Sequence, residues 1–131
     1  MKKVVMLIFI SLIFISGCIK ENEKEIISYQ TITSEEAHNM MEIRTDLIII
    51  DVRSKEEYES GHIEKAINIP VNEIGNRFKE EVTEDLNQTI LVYCRSGVRA
   101  KQASELLVDL GFNDVITFGG IIDWNYELIT N

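Results

Sequence analysis

Two cysteines, two histidines and a shortage of cations set the first limits on this chain. Two cysteines permit at most one disulfide, and the two histidines lie far from Cys94 in sequence and form no recognisable metal-ligand set with it. Lysine and arginine number 13 against 22 aspartates and glutamates, a formal net charge of −9 over 131 residues. That balance argues against nucleic acid or anionic lipid as a partner of the folded surface. It also repels anionic substrates at long range, so any anion site must be a local basic feature. No apolar run reaches the ~20 residues of an ordinary membrane-spanning helix, and neither a repeat nor a low-complexity stretch is present. What is there is an ordinary globular composition, 45% hydrophobic and 27% charged, with length for one domain and a real core.

The first residues stand apart from the fold. Lys2 and Lys3 form a positive n-region, Val4 to Ile15 an apolar h-region, and Ser16-Gly17 leads to Cys18, the pattern of a secretory signal. Ile15-Ser16-Gly17-Cys18 resembles a bacterial lipobox, which implies a lipid on the Cys18 sulfur, cleavage just before it and acylation of the new N-terminus. The expected division is a lipoprotein-type signal peptide over 1–17, a lipidated polar tether over 18–25 and one domain over 26–131. An uncleaved anchor with an incidental cysteine is the alternative. Either way the domain is expected outside the cytoplasm, held to a membrane of a bacterial cell envelope. Loss of Lys2 and Lys3 with the signal takes the formal charge from −9 to −11. With Cys18 lipidated, Cys94 is the sole free thiol and has no partner to resolve it once oxidised. A lone thiol in an oxidising compartment is a liability unless it has a use.

The rest of the chain alternates strand and helix signals. Residues 25–32, with Ile26, Ile27, Tyr29 and Ile32, read as a short first strand. Thr33 and Glu36 have capping-box spacing, predicting a helix from Ser34 to about Ile43 with Ala37, Met40 and Met41 inward and His38 exposed. Leu47 to Ile50 is an uninterrupted apolar run, the mark of a strand buried on both faces of a parallel sheet, with Asp51-Val52-Arg53 at its carboxyl end. Ser54 and Glu57 give a second capping box, for a short helix from Lys55 to Glu59 ended at Gly61. His62 is open at this point to an acid/base reading or to a hydrogen-bonded structural one. Ala66 to Ile69 is a further short buried strand stopped by Pro70, Val71 to Phe78 a helix, and Lys79 to Gln88 an acidic connection. Thr89 to Tyr93 is a buried strand, followed by a helix to Leu110 with Gly111 as its left-handed cap. Phe112 to Phe118 is the last strand, and Gly119-Gly120 turns into a helix around Trp124, a core anchor.

One stretch brings these elements to a point. Cys94-Arg95-Ser96-Gly97-Val98-Arg99 joins the strand at 89–93 to the helix that follows. Unpaired N–H groups of the loop and first helical turn, together with the helix dipole, then face one sulfur and favour its thiolate. This loop, together with Asp51-Val52-Arg53, Glu56-Glu57-Tyr58, Gly61-His62-Ile63, Ala66, Asn68-Ile69-Pro70, Gly119-Gly120 and Trp124, resembles the single-domain rhodaneses, or thiosulfate sulfurtransferases. The resemblance implies a rhodanese-like α/β fold, a central parallel sheet of about five strands with helices on both faces.

The same resemblance implies a membrane-tethered sulfurtransferase that moves a sulfane sulfur from thiosulfate or a similar donor to a nucleophilic acceptor through a persulfide on Cys94. Arg95, Ser96, Gly97, Val98 and Arg99 would bind substrate, their N–H groups around the sulfur and the two arginines supplying local cations for departing sulfite. No metal or organic cofactor is implied. The partners are a small anionic donor, a thiol or cyanide-like acceptor and, through the N-terminal lipid, a membrane, with a protein donor or acceptor left open. For Asp51 and Arg53 a structural role is favoured over catalysis, Asp51 capping local backbone donors and Arg53 paired with Glu56 or Glu57. Phosphatases and arsenate reductases of the same superfamily hold one more residue between cysteine and closing arginine. Here four residues separate Cys94 from Arg99, and no resolving cysteine exists. A non-turnover sulfur carrier would use the same persulfide.

Overall fold

The computed structural model describes residues 28–130, so the readings of signal, Cys18 and tether lie outside the described residues. In chain order the elements are β1 (Gln30–Thr31), α1 (Ser34–Ile43), β2 (Ile48–Asp51), α2 (Lys55–Glu59), β3 (Ile67–Asn68), α3 (Ile74–Glu81), β4 (Thr89–Cys94), α4 (Val98–Asp109) and β5 (Asp114–Gly120). The strands form one parallel sheet in the order β1-β5-β4-β2-β3. The central strand β4 is buried at every residue, as its unbroken apolar sequence requires. Its alternate side chains divide between two cores. Ile90, Val92 and Cys94 join Ile74 and Phe78 of α3 and Ala100, Ala103 and Leu107 of α4, whereas Leu91 and Tyr93 join Ala37 of α1, with Tyr58 of α2 packed alongside. Helices therefore cover both faces of the five-stranded sheet.

Local chemistry explains most boundaries. Both capping boxes form: Thr33 Oγ1 accepts from the Glu36 N–H while Glu36 accepts from Thr33, and Ser54 and Glu57 repeat the exchange. At the end of α4, Gly111 takes φ +99°, its N–H bonds to the Val108 carbonyl and that of Phe112 to the Leu107 carbonyl. This pair of bonds is a Schellman motif, which a residue with a Cβ enters only under strain.

Several expectations are corrected. Among the described residues the first strand is only Gln30–Thr31, paired with β5. β3 is an edge strand rather than a buried one, leaving Ile67 42% exposed, because among the described residues only β2 lies beside it. Residues 71–78 divide into a 3-10 turn at Val71–Glu73 and α3, which runs on to Glu81 into the stretch read as a connection. Gly119 and Gly120 belong to β5, and only a 3-10 turn, Ile121–Asp123, precedes Trp124 where a helix was expected. Met40 and Met41 are half-buried against the second core as expected. His38 is not simply exposed: its ring stacks on Tyr126 at 3.5 Å between centroids.

Candidate active site

The chain after β2 returns through α2 to β3 on one side, whereas the chain after β4 runs through α4 to β5 on the other. The carboxyl ends of β2 and β4 therefore flank the point where the winding reverses, the place where open α/β sheets hold ligands. Asp51 ends one strand and Cys94 the other, and α2 and α4 stand on opposite faces around the crevice.

Cys94 is 1% exposed and its Sγ accepts the Gly97 N–H at 3.0 Å. Gly97, at φ +109°, is the N-cap of α4 and offers no side chain to its first turn, so those N–H groups face outward from the helix end beside the sulfur. Arg95, Ser96 and Val98 are exposed, Val98 by 75%. Arg99 is half-buried and reaches back across the crevice: its two Nη atoms donate to Glu57 at 2.6 and 3.0 Å. Those hydrogen bonds hold the Arg99 pKa above its ordinary value against partial burial, with the charges of Glu57, Cys94 and Asp51 adding. The Arg99 hydrogen bonds, with donors from Ser54, pull the Glu57 carboxyl from 4.5 down to about 2. Glu57 is thus both the cap of α2 and the partner of the loop arginine. The sequence read only its first role, because nothing local links residues 42 positions apart.

Asp51 and Arg53 form a buried pair of their own. Arg53 donates from Nη2 to Asp51 at 2.6 Å and to the Gly61 carbonyl at 2.7 Å, and its own N–H bonds to Asp51 Oδ1 at 2.9 Å. Burial opposes the Arg53 charge, but hydrogen bonds to Asp51 and its charge outweigh it and the pKa rises. Asp51 does cap a local N–H as expected, while Arg53 pairs with Asp51 and not with Glu56 or Glu57. Asn68 Nδ2 donates to the Asp51 and Arg53 carbonyls, completing a rigid turn behind α2. His62 is 2% exposed, stacks on Tyr58 at 3.7 Å and donates from Nδ1 to the Tyr58 carbonyl at 2.9 Å, a structural arrangement. Burial, with the charge of Asp51, raises the pKa of the Tyr93 phenol, whose oxygen accepts the Ile63 N–H.

Two glycines read as a turn prove to support the loop. A Cβ on Gly120 would lie 2.0 Å from the Cys94 carbonyl oxygen and 2.6 Å from that of Arg95, and the β4–β5 register shifts there. A Cβ on Gly97 would lie 3.4 Å from Gly119 Cα. The Ile122 N–H then bonds to the Arg95 carbonyl at 3.1 Å, fastening the loop to the end of β5. Among the described residues no group of three or more His, Cys, Asp or Glu converges to hold a metal.

Comparison with known proteins agrees with this geometry. The family described as rhodanese-like domain matches residues 33–127. The chain belongs to that family. This rhodanese-like chain is 42% identical over 74 residues to the thiosulfate sulfurtransferase PspE of Escherichia coli, covering 56% of itself and 70% of the relative. It is 31% identical over 101 residues to a tRNA uridine(34) hydroxylase of Buchnera aphidicola, covering 71% of itself but only 31% of that protein's length. An E. coli rhodanese solved with anions superposes with a TM-score of 0.60 at 36% identity, over 65% of this chain and 99% of that one. A rhodanese-like domain protein from Staphylococcus aureus superposes with a TM-score of 0.69 at 29% identity, over 78% and 98%.

Proposed function

We propose that this rhodanese-like chain is a sulfurtransferase that carries sulfur as a persulfide on Cys94, with thiosulfate or a kindred anion as donor. The observation that carries the reading is the loop itself: a sulfur at the end of the central strand, an N–H at 3.0 Å from it, and a left-handed glycine opening a helix beside it. The Cys94 thiolate attacks the outer sulfur of thiosulfate, forming a new S–S bond as the donor's S–S bond breaks and its electron pair leaves with sulfite. The bound persulfide then gives its outer sulfur to a thiolate or cyanide and Cys94 returns as thiolate. The backbone donors of residues 95–99 stabilise the anionic sulfur in both halves. Arg99 keeps further N–H donors beyond the two that face Glu57, and Arg95 makes no ion pair among the described residues, so both can meet sulfonate oxygens.

Intact mass before and after thiosulfate tests this directly. One sulfur gained, removed by cyanide, and absent in a Cys94→Ser variant of unchanged far-UV dichroism supports the cycle. A folded, reduced protein that gains no sulfur overturns thiosulfate as donor, and a Cys94→Ser variant that still gains sulfur overturns the nucleophile. We further propose that Cys18 carries lipid and holds the domain outside the cytoplasm, supported by the order of charges, apolar run and Ser16-Gly17-Cys18. A Cys18→Ser variant should leave the membrane fraction or retain its full signal. Unchanged mass and partition would refute the lipid.

A further inference from the structure

A cavity of about 290 Å³ lies between α1, the start of β2, the turn at 63–65 and the segment at 124–127, apart from the Cys94 loop. Its walls separate into three kinds of chemistry. Leu47, Ile49 and Ile63 give an apolar floor. Trp124 and Tyr126 give an aromatic wall, their rings 67° apart at 5.0 Å, with His38, also in the lining, stacked on Tyr126. Glu42, Glu64 and Glu127 line the rim, and among the described residues none of them is in an ion pair.

The rim also carries two cations, and they do not balance those carboxylates. Arg44 is already committed, from Nε and Nη2 to Asp46 at 2.9 and 2.7 Å and again to Thr89. Among the described residues this leaves Lys65, with the His38 imidazole also in the lining, beside three glutamates. Carboxylates beside exposed aromatic faces attract a cation, and an apolar floor attracts an uncharged body. We propose that this cavity binds a small amphipathic organic cation, an ammonium on a short aromatic or alkyl body, with the body on Leu47 and Ile49 and the charge between the Trp124–Tyr126 wall and Glu42 or Glu127. The volume suits a ligand near the small end of protein pockets, which start at roughly 300 Å³.

The wall supplies its own reporter. Trp124 is the one tryptophan of the chain, and its Nε1 is buried without a hydrogen-bond partner among the described residues, where ring packing holds the indole. A cation entering the cavity must alter its emission. The experiment titrates the full chain with phenethylamine, phenethyl alcohol and phenylacetate, three probes sharing a body and differing in charge, and follows tryptophan fluorescence. The expected result is saturable change with the amine, at a Kd of about 1 mM or below, and at least about tenfold weaker response to the other two. A Glu42→Gln/Glu127→Gln variant, folded by far-UV dichroism, should weaken the amine by about tenfold. Equal binding of alcohol or acid, no saturation with the amine, or an unchanged amine affinity in the double variant each overturns the proposal. A Cys94→Ser protein should titrate as the native one does, so the outcome does not depend on sulfur chemistry.

Discussion

Gly120→Ala puts the contact between β5 and the Cys94 loop to a quantitative test. At φ 173° the backbone of residue 120 is extended and suits alanine, so the effect comes from contact and not from conformation. The new methyl would lie 2.0 Å from the Cys94 carbonyl oxygen and 2.5 Å from its carbon, where ordinary contact begins at 3.4 Å. More than 1 Å of separation is therefore needed between two backbones, neither of which is a flexible side chain. Overpacking of this kind costs about 1–3 kcal/mol, and backbone on backbone lies at or above about 3. For a domain of this size each kcal/mol moves Tm by about 4–8 °C, so a fall of about 12 °C or more is expected by scanning calorimetry. Sulfur loading of Cys94 should fall with it, even well below Tm, because the same shift breaks the bond from Ile122 to Arg95. Gly75 supplies the control, since a Cβ there, in the first turn of α3, meets nothing within 4 Å among the described residues. Gly75→Ala should stabilise by about 0.5–1 kcal/mol. A Gly120→Ala protein melting within about 3 °C of native, with native loading, would refute the steric reasoning.

Other consequences concern the charged pairs. The Glu57 carboxyl titrates lower in the folded state, about 2 against 4.5, so its contribution is fully present above about 4.5 and is lost as pH falls through about 2. Both partners are about one-third exposed, which limits the pair to about 1 kcal/mol. Urea titrations of native and Glu57→Gln protein should thus differ by about that amount near neutrality and converge in acid; a constant gap argues against the pair. Arg53→Met should cost about 3–5 kcal/mol by leaving Asp51 buried without its partner. Adding Asp51→Asn should restore part of that loss in the same denaturation assay, and no restoration would indicate that the packing of Arg53 on Tyr93 matters more than its charge.

Legibility in the sequence followed the range of the interactions. Thr33 with Glu36 and Ser54 with Glu57 announce their helices because a capping box is complete within four residues. The runs at Ile48–Asp51 and Thr89–Cys94 announce buried parallel strands because both faces need apolar residues. Cys94 and Gly97 could be placed because a strand, a loop and a helix start follow one another without interruption. Ile67 gave no sign that its strand is an edge, since strand order is a property of the whole sheet. Arg99 and Glu57 meet only once β3, α3 and β4 are in place, and Gly120 and Cys94 only after the crossover through α4, and residues 121–130 carry no period from which their packing could be read. Arg53 found its partner two residues away, but only burial of both side chains selects Asp51 over Glu56 and Glu57 on the following helix.

The enclosure of β4 fixes how reagents can reach Cys94. A strand hydrogen-bonded on both sides and buried at every residue belongs to the unit that opens last, so its amides should exchange with deuterium only when the whole domain unfolds. The sulfur at its end cannot be uncovered by local breathing of that strand. The exposed residues next to the thiol are Arg95, Ser96 and Val98 of the loop, so alkylation of the native protein should sort reagents by size and charge, while small changes in global stability leave the rate alone. The sheet acts as a clamp on the thiol, and the loop as its sieve.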